Sequence, residues 1–204
     1  MTLDLSLYLV TDTVLCGRRG VAETARAAVA GGATVVQLRD PVATTRELYD
    51  LALELRAATT VPLIVNDRLD VALAAGAAGI HLGQSDLPVR KAREIAGPEF
   101  IIGLSISSVA EMARANDLPV GTVDYLGIGP AFATATKPDA GAALGPDLVA
   151  ELAGMTELPT VAIGGITADN VGQLSGVDGI CVVSAICAAG DPRTAAANLR
   201  KAYV

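Results

Sequence analysis

The sequence predicts an α/β fold in which eight parallel strands, each followed by a helix, close into one barrel. Three observations predict it. Eight short apolar runs recur along the 204 residues, each ending in a polar or glycine-rich tip and followed by an Ala/Leu-rich amphipathic segment. The repeat is about 25 residues, the size of one strand–helix unit in a compact barrel. The glycine signatures of the open alternative are missing: Thr11-Asp12-Thr13 follows the first strand, Gly127-Ile128-Gly129 lacks a third glycine, and no P-loop occurs. The expectation is therefore a single (β/α)8 TIM barrel domain over residues 1–204.

The runs are 7–10, 34–38, 62–65, 79–82, 100–104, 124–128, 160–163 and 179–183. They do not alternate polar with apolar, as strands covered on both faces should not. Helical patterns lie between them. Residues 21–30 stop at Gly31-Gly32, and 45–58 stop before Val61-Pro62. Residues 68–75 stop at Gly76, and 88–96 start on a proline. Ser107 or Ser108 caps a helix running to about Asn116. Segments 146–153, 169–174 and 191–202 complete the set.

Composition narrows the function. Hydrophobic residues make up 51% of the chain but aromatics only 3%, so the core is Ala, Val, Leu and Ile. The net charge of −7 disfavours a nucleic-acid partner but leaves room for a small anionic substrate where cations converge. Cys16, Cys181 and Cys187 form no CxxC pair, and His81 is the only histidine, which argues against a zinc site. No basic amino-terminal region precedes an apolar run, and no apolar stretch is long enough for a bilayer, so a cytoplasmic protein without a membrane or nucleic-acid partner is expected.

The carboxyl ends of barrel strands form the active face. Gly164-Gly165 and Val183-Ser184 follow strands 7 and 8, where barrels commonly hold phosphate on bare backbone N–H groups. Thr134, Thr136 and Lys137 can close over it from the loop after strand 6. Asp67 and Asp86 follow adjacent strands. Two hard oxygen ligands beside phosphate oxygens suit Mg2+, although either aspartate alone also reads as a helix cap. Arg39 and Lys137 supply cations for a diphosphate. Tyr8 and Gln37 can hydrogen-bond a heterocycle across the mouth, while His81 and Cys181, inside apolar strands, read as core.

These residues resemble those of thiamine-phosphate synthases over nearly the whole length. The resemblance runs through Tyr8-Leu9-Val10-Thr11-Asp12, Gln37-Leu38-Arg39, Asn66-Asp67 and Gly79-Ile80-His81-Leu82-Gly83-Gln84-Ser85-Asp86. It continues through Gly129-Pro130, Thr134-Ala135-Thr136-Lys137, Ile163-Gly164-Gly165-Ile166 and Val183-Ser184-Ala185-Ile186. The resemblance implies a transferase that joins hydroxymethylpyrimidine diphosphate to thiazole phosphate with loss of pyrophosphate, ionising first to a pyrimidine carbocation. It also implies Mg2+ on Asp67 and Asp86. Gln37, Arg39, Asn66 and Lys137 would hold the pyrimidine diphosphate, with Ser105 at the reacting centre; Arg39, Ser105 and Lys137 would be the catalytic groups. Thr134, Thr136, Gly165, Val183 and Ser184 would hold the thiazole phosphate.

One departure stands out. The resembling sequences read Gln-x-Arg-x-Lys where this chain has Pro41. The expectation is that Arg18 or Arg19, in the loop after strand 1, replaces the missing cation on closure. Lid candidates are 13–20 and 138–145. Two other functions are weighed: a thiazole tautomerase of the same barrel group, which uses a histidine shortly after strand 5 where this chain has Ile106-Ser107-Ser108, and a non-catalytic barrel that binds a phosphate ligand.

Overall fold

The structure, a computed structural model, describes residues 3–134, 136 and 141–203. Eight strands form a closed parallel barrel in sequence order, with β1 (Leu7–Val10) pairing β8 (Gly179–Val182) to complete it. Between them run β2 (Val35–Leu38), β3 (Leu63–Asn66), β4 (Gly79–Leu82), β5 (Ile101–Ile106), β6 (Tyr125–Ile128) and β7 (Thr160–Ile163). The helices are α1 (Thr13–Cys16), α2 (Val21–Ala30), α3 (Thr45–Ala58), α4 (Leu69–Ala74), α5 (Val89–Ala96), α6 (Val109–Asn116), α7 (Pro146–Ala153), α8 (Ser184–Cys187) and α9 (Pro192–Tyr203).

Local chemistry explains several helix ends. Thr44 and Glu47 form a reciprocal capping box at the start of α3. Ser108 accepts from the Glu111 N–H and opens α6. Pro146 fills the first turn of α7, where an N–H is dispensable. At the end of α2, a β-carbon on Gly31 would lie 2.2 Å from the Arg193 carbonyl oxygen, so glycine lets α9 pack there.

Alternation along the strands makes two cores. Leu7, Leu9, Val36, Leu38, Ile80, Leu82, Ile102 and Leu126 pack outward against helix residues such as Ala25, Ala52, Leu55 and Met112. Tyr8, Val10, Val35, Ile64, Tyr125, Val161 and Cys181 form a separate cluster that fills the barrel interior. Both strand faces are thus covered, which is why the runs are apolar throughout.

The structure departs from the sequence expectation in a few places. Segment 169–174 is only a 3-10 turn, Val171–Gln173, preceded by Asn170, whose side chain bonds the Thr167 N–H and the Gly165 carbonyl. An asparagine so engaged with nearby backbone competes with the helix. Neither Asp67 nor Asp86 is a helix cap: the cap positions of α4 and α5 are Arg68 and Pro88. The short helix α8 directly after β8 was absent from the sequence reading as an element. The lid candidate 13–20 is ordered into α1 and a 3-10 turn, with Asp12 capping α1 through the Leu15 N–H and Thr13 donating to Asp40 at 2.6 Å. Of the other lid candidate, residues 138–140 lie outside the described residues, while Leu144 and Gly145 donate their N–H groups to the Pro130 and Ala131 carbonyls.

Candidate active site

A cavity of about 520 Å³ opens at the carboxyl ends of the strands. Its walls bring together Gln37, Arg39, Asn66, Asp67, Asp86, Ser105, Thr134, Thr136, Gly165, Val183 and Ser184, residues from all but the first strand or its loop. Lys137 lies outside the described residues.

One wall of the cavity is built on β2 to β4. Arg39 is placed by its backbone, whose N–H donates to Thr11, a fully buried hydroxyl at the end of β1. Asn66 closes β3, and the Asp67 N–H donates to the His81 carbonyl at 2.9 Å. Asp67 holds φ +60°, an uncommon conformation for a residue with a side chain. Such strain persists where surrounding structure enforces it, and it is characteristic of functional positions. Asp86 lies on the same wall and accepts the Gly83 N–H at 2.7 Å. Two carboxylates and the side-chain carbonyl of Asn66 make a hard-oxygen wall; no cluster of three or more His, Cys, Asp or Glu residues that could hold a metal alone occurs among the described residues. A divalent cation there would need substrate oxygens to complete its shell.

The opposite wall is shaped by glycine. Gly164 and Gly165 have φ of +103° and +64°. A β-carbon at Gly164 would lie 2.6 Å from Pro130 Cβ, and one at Gly165 would lie 2.5 Å from the Ala133 carbonyl oxygen. The β6 and β7 loops therefore touch backbone to backbone, with Phe132 N–H donating to Gly164. Thr134 accepts the Thr136 N–H, and both residues line the cavity.

The floor is polar, although the apolar strand pattern predicts core at His81 and gives no sign of a role for Tyr125. His81 Nε2 lies 2.9 Å from Ser105 Oγ, and its Nδ1 lies 2.9 Å from Tyr125 Oη. Tyr125 Oη is 2.8 Å from Tyr8 Oη, which accepts from Gln37 Nε2 at 2.8 Å. Burial pushes both tyrosine hydroxyls well above their ordinary value, so they stay protonated. His81 is only half-buried and faces the cavity. Gln84 donates to the Ser105 carbonyl at 2.7 Å, and Glu111 accepts from both the N–H and hydroxyl of Ser107. The signal that could have found Tyr125 is its position on a strand interior opposite Gly103.

The two arginines expected to stand in for the absent lysine on closure lie away from the cavity. The Arg19 guanidinium donates to the carbonyls of Ala189 and Gly190 at 3.0 and 2.8 Å, and neither Arg18 nor Arg19 lines the cavity. Pro41 itself lines it, beside Asp40, whose carboxylate accepts the Val42 and Ala43 N–H groups. Among the described lining residues, Arg39 is the only cation.

A profile of the thiamine monophosphate synthase family matches residues 7–186. The chain belongs to that family. It is 50% identical over 202 residues to the thiamine-phosphate synthase of Azorhizobium caulinodans, covering 97% of this chain and 94% of that protein. It is 51% identical over 206 residues to the thiamine-phosphate synthase of Xanthobacter autotrophicus, covering 98% and 96%. The solved thiamine phosphate pyrophosphorylase of Pyrococcus furiosus superposes with a TM-score of 0.88 at 40% identity, covering 99% of this chain and 96% of that one. A 3-hexulose-6-phosphate synthase shares the fold at 17% identity and a TM-score of 0.70. The family favours the synthase over the tautomerase and the non-catalytic reading. No helix among the described residues is long and apolar enough to cross a membrane.

Proposed function

We infer that this barrel is a thiamine-phosphate synthase, a transferase that joins hydroxymethylpyrimidine diphosphate to thiazole phosphate and releases pyrophosphate. The observation that carries the reading is a single cavity with a carboxylate-and-arginine wall on β2 to β4 and a glycine-backbone wall on β7 and β8, in a chain half identical to proteins of that name.

The family resemblance suggests the roles, and the described lining residues support them. Gln37 and Asn66 orient the pyrimidine diphosphate, and Arg39 with Lys137 binds its charge. Gly165, Val183 and Ser184 present backbone to the thiazole phosphate, with Thr134 and Thr136 above it. Ser105 stands between the two walls, at the reacting centre. Asp67 and Asp86 would hold Mg2+, which when bound neutralises the charge of the departing diphosphate. Arg39 and Lys137 stabilise the same charge from the protein side. The thiazole nitrogen supplies its own electron pair to the pyrimidine methylene, so no strong general base is required. The closed floor keeps water from that carbon. The fold, one barrel domain, acts in the cytoplasm on these small molecules.

The test is pyrophosphate release with both substrates, with and without Mg2+. Release that needs both the metal and the thiazole partner is expected, and Asp86→Asn should raise the Mg2+ concentration for half-maximal rate about tenfold or more. Turnover indifferent to Mg2+ would remove the metal assignment, and no release with both substrates would remove the function.

A further inference from the structure

We propose that Tyr8, Tyr125 and His81 are positioning residues that fix the Ser105 hydroxyl as a hydrogen-bond donor into the cavity, with His81 held as the neutral Nε2–H tautomer. The catalytic consequence rests on the synthase reading; the tautomer does not.

Each proton along one chain of contacts has a determined direction. Gln37 Nε2 is a donor only, so the Tyr8 oxygen accepts from it. Tyr8 is 1% exposed, and its own proton needs an acceptor; Tyr125 Oη lies 2.8 Å away. Tyr125, fully buried, then passes its proton on, and the acceptor at 2.9 Å is His81 Nδ1. A histidine accepting at Nδ1 carries its proton on Nε2. That N–H meets Ser105 Oγ at 2.9 Å. Ser105 Oγ, already receiving, directs its own proton outward to the cavity it lines. A donor fixed in that direction suits an anionic oxygen of the leaving diphosphate and needs no reorganisation as charge develops.

The strands are built around this chain. His81, Gly103 and Tyr125 are paired in register across β4, β5 and β6. A β-carbon on Gly103 would lie 2.5 Å from His81 Nδ1, and one on Gly127 would lie 3.1 Å from His81 Cε1. Two glycines thus clear the space in which the imidazole and phenol meet. Among the described residues no buried side-chain nitrogen or oxygen lacks a partner, so reversing one link would disturb its neighbours.

His81 is the sole histidine, so a long-range 1H–15N spectrum of the uniformly labelled protein reports its ring without assignment. The expected pattern is the neutral Nε2–H tautomer; an Nδ1–H tautomer or a doubly protonated ring overturns the proposal. Tyr125→Phe keeps the ring and removes one link. It should shift the tautomer signature toward a mixture and lower kcat about tenfold while the KM of each substrate moves less than about twofold, the size of one lost hydrogen bond. An unchanged spectrum, or a rise in KM with kcat preserved, overturns it. Tyr8→Phe, one link further away, repeats the measurement if Tyr125→Phe fails to fold. A correct tautomer in a protein that does not turn over the two substrates would leave the hydrogen-bond chain standing and remove the synthase reading instead.

Discussion

A β-carbon on Gly103 would lie 2.2 Å from Tyr125 Cζ and 2.4 Å from its hydroxyl, inside a barrel where neither ring can swing away. Gly103→Ala should therefore destabilise the fold by about 2–3 kcal/mol as an overpacked core, read as a fall in the denaturant midpoint. This glycine shows where residue-level reading of the sequence reaches its limit. Gln37, Arg39, Asp67 and Asp86 were legible because a polar group following an apolar run marks the open end of a strand. Tyr125 and His81 were not, because which interior side chains meet is decided by the register between strands. His81 and Tyr125 are 44 residues apart yet are joined through one glycine. The direction of Arg19 is also out of reach of the sequence: its guanidinium points to the carbonyls beyond α8, not into the cavity.

Elements whose chemistry is local were the most readable. The strands β1, β4 and β7 and the helices α2, α3 and α7 have the bounds that their apolar runs, caps and stop signals predict. The segment after β7 failed because Asn170 bonds nearby backbone instead of propagating a helix. The capping box of α3 gives a test at this scale. Backbone and hydroxyl hydrogen bonds from Thr44 hold the Glu47 carboxyl below its ordinary value. A lowered carboxylate adds stability above that ordinary value and loses it as pH falls through the lowered one. Thr44→Ala should lower Tm at neutral pH, and the gap from the parent should narrow between about pH 5 and pH 3. The backbone N–H bond to Glu47 survives in this variant, so a gap independent of pH would mean that the charge of Glu47 plays no part in what the Thr44 hydroxyl contributes. At the opposite end of the barrel from the cavity, Arg93 ties the end of α5 to β5 and β6 by donating to the Gly97 and Phe100 carbonyls and to Asp124, which also accepts the Ile102 N–H.

The whole molecule separates these two duties by end. Polar residues that fasten strands to helices gather where strands begin, and polar residues that face the cavity gather where they finish. Between the two ends the wall is apolar and closed; Cys181 lies on β8 at the cavity floor, and Cys16 and Cys187 are buried in α1 and α8. The hydrogen bond with Cys16, and then burial, push the Cys187 thiol up, and burial pushes up Cys181; the same bond holds Cys16 down to about 6, but all three side chains are closed off from solvent. The folded protein should therefore show slow labelling of its thiols by a water-soluble disulfide reagent, and three equivalents should appear together on unfolding. Fast reaction of one thiol in the native state would reveal an opening of the wall.

The floor of the barrel also has an optical meaning. The chain contains no tryptophan and four tyrosines, and two of those, Tyr8 and Tyr125, lie against each other under the cavity with ring centres 5.9 Å apart. Near-ultraviolet circular dichroism of this protein is consequently dominated by tyrosine, and its rigid tyrosine pair lies beside the cavity. A ligand settling on that floor reports its arrival without any label.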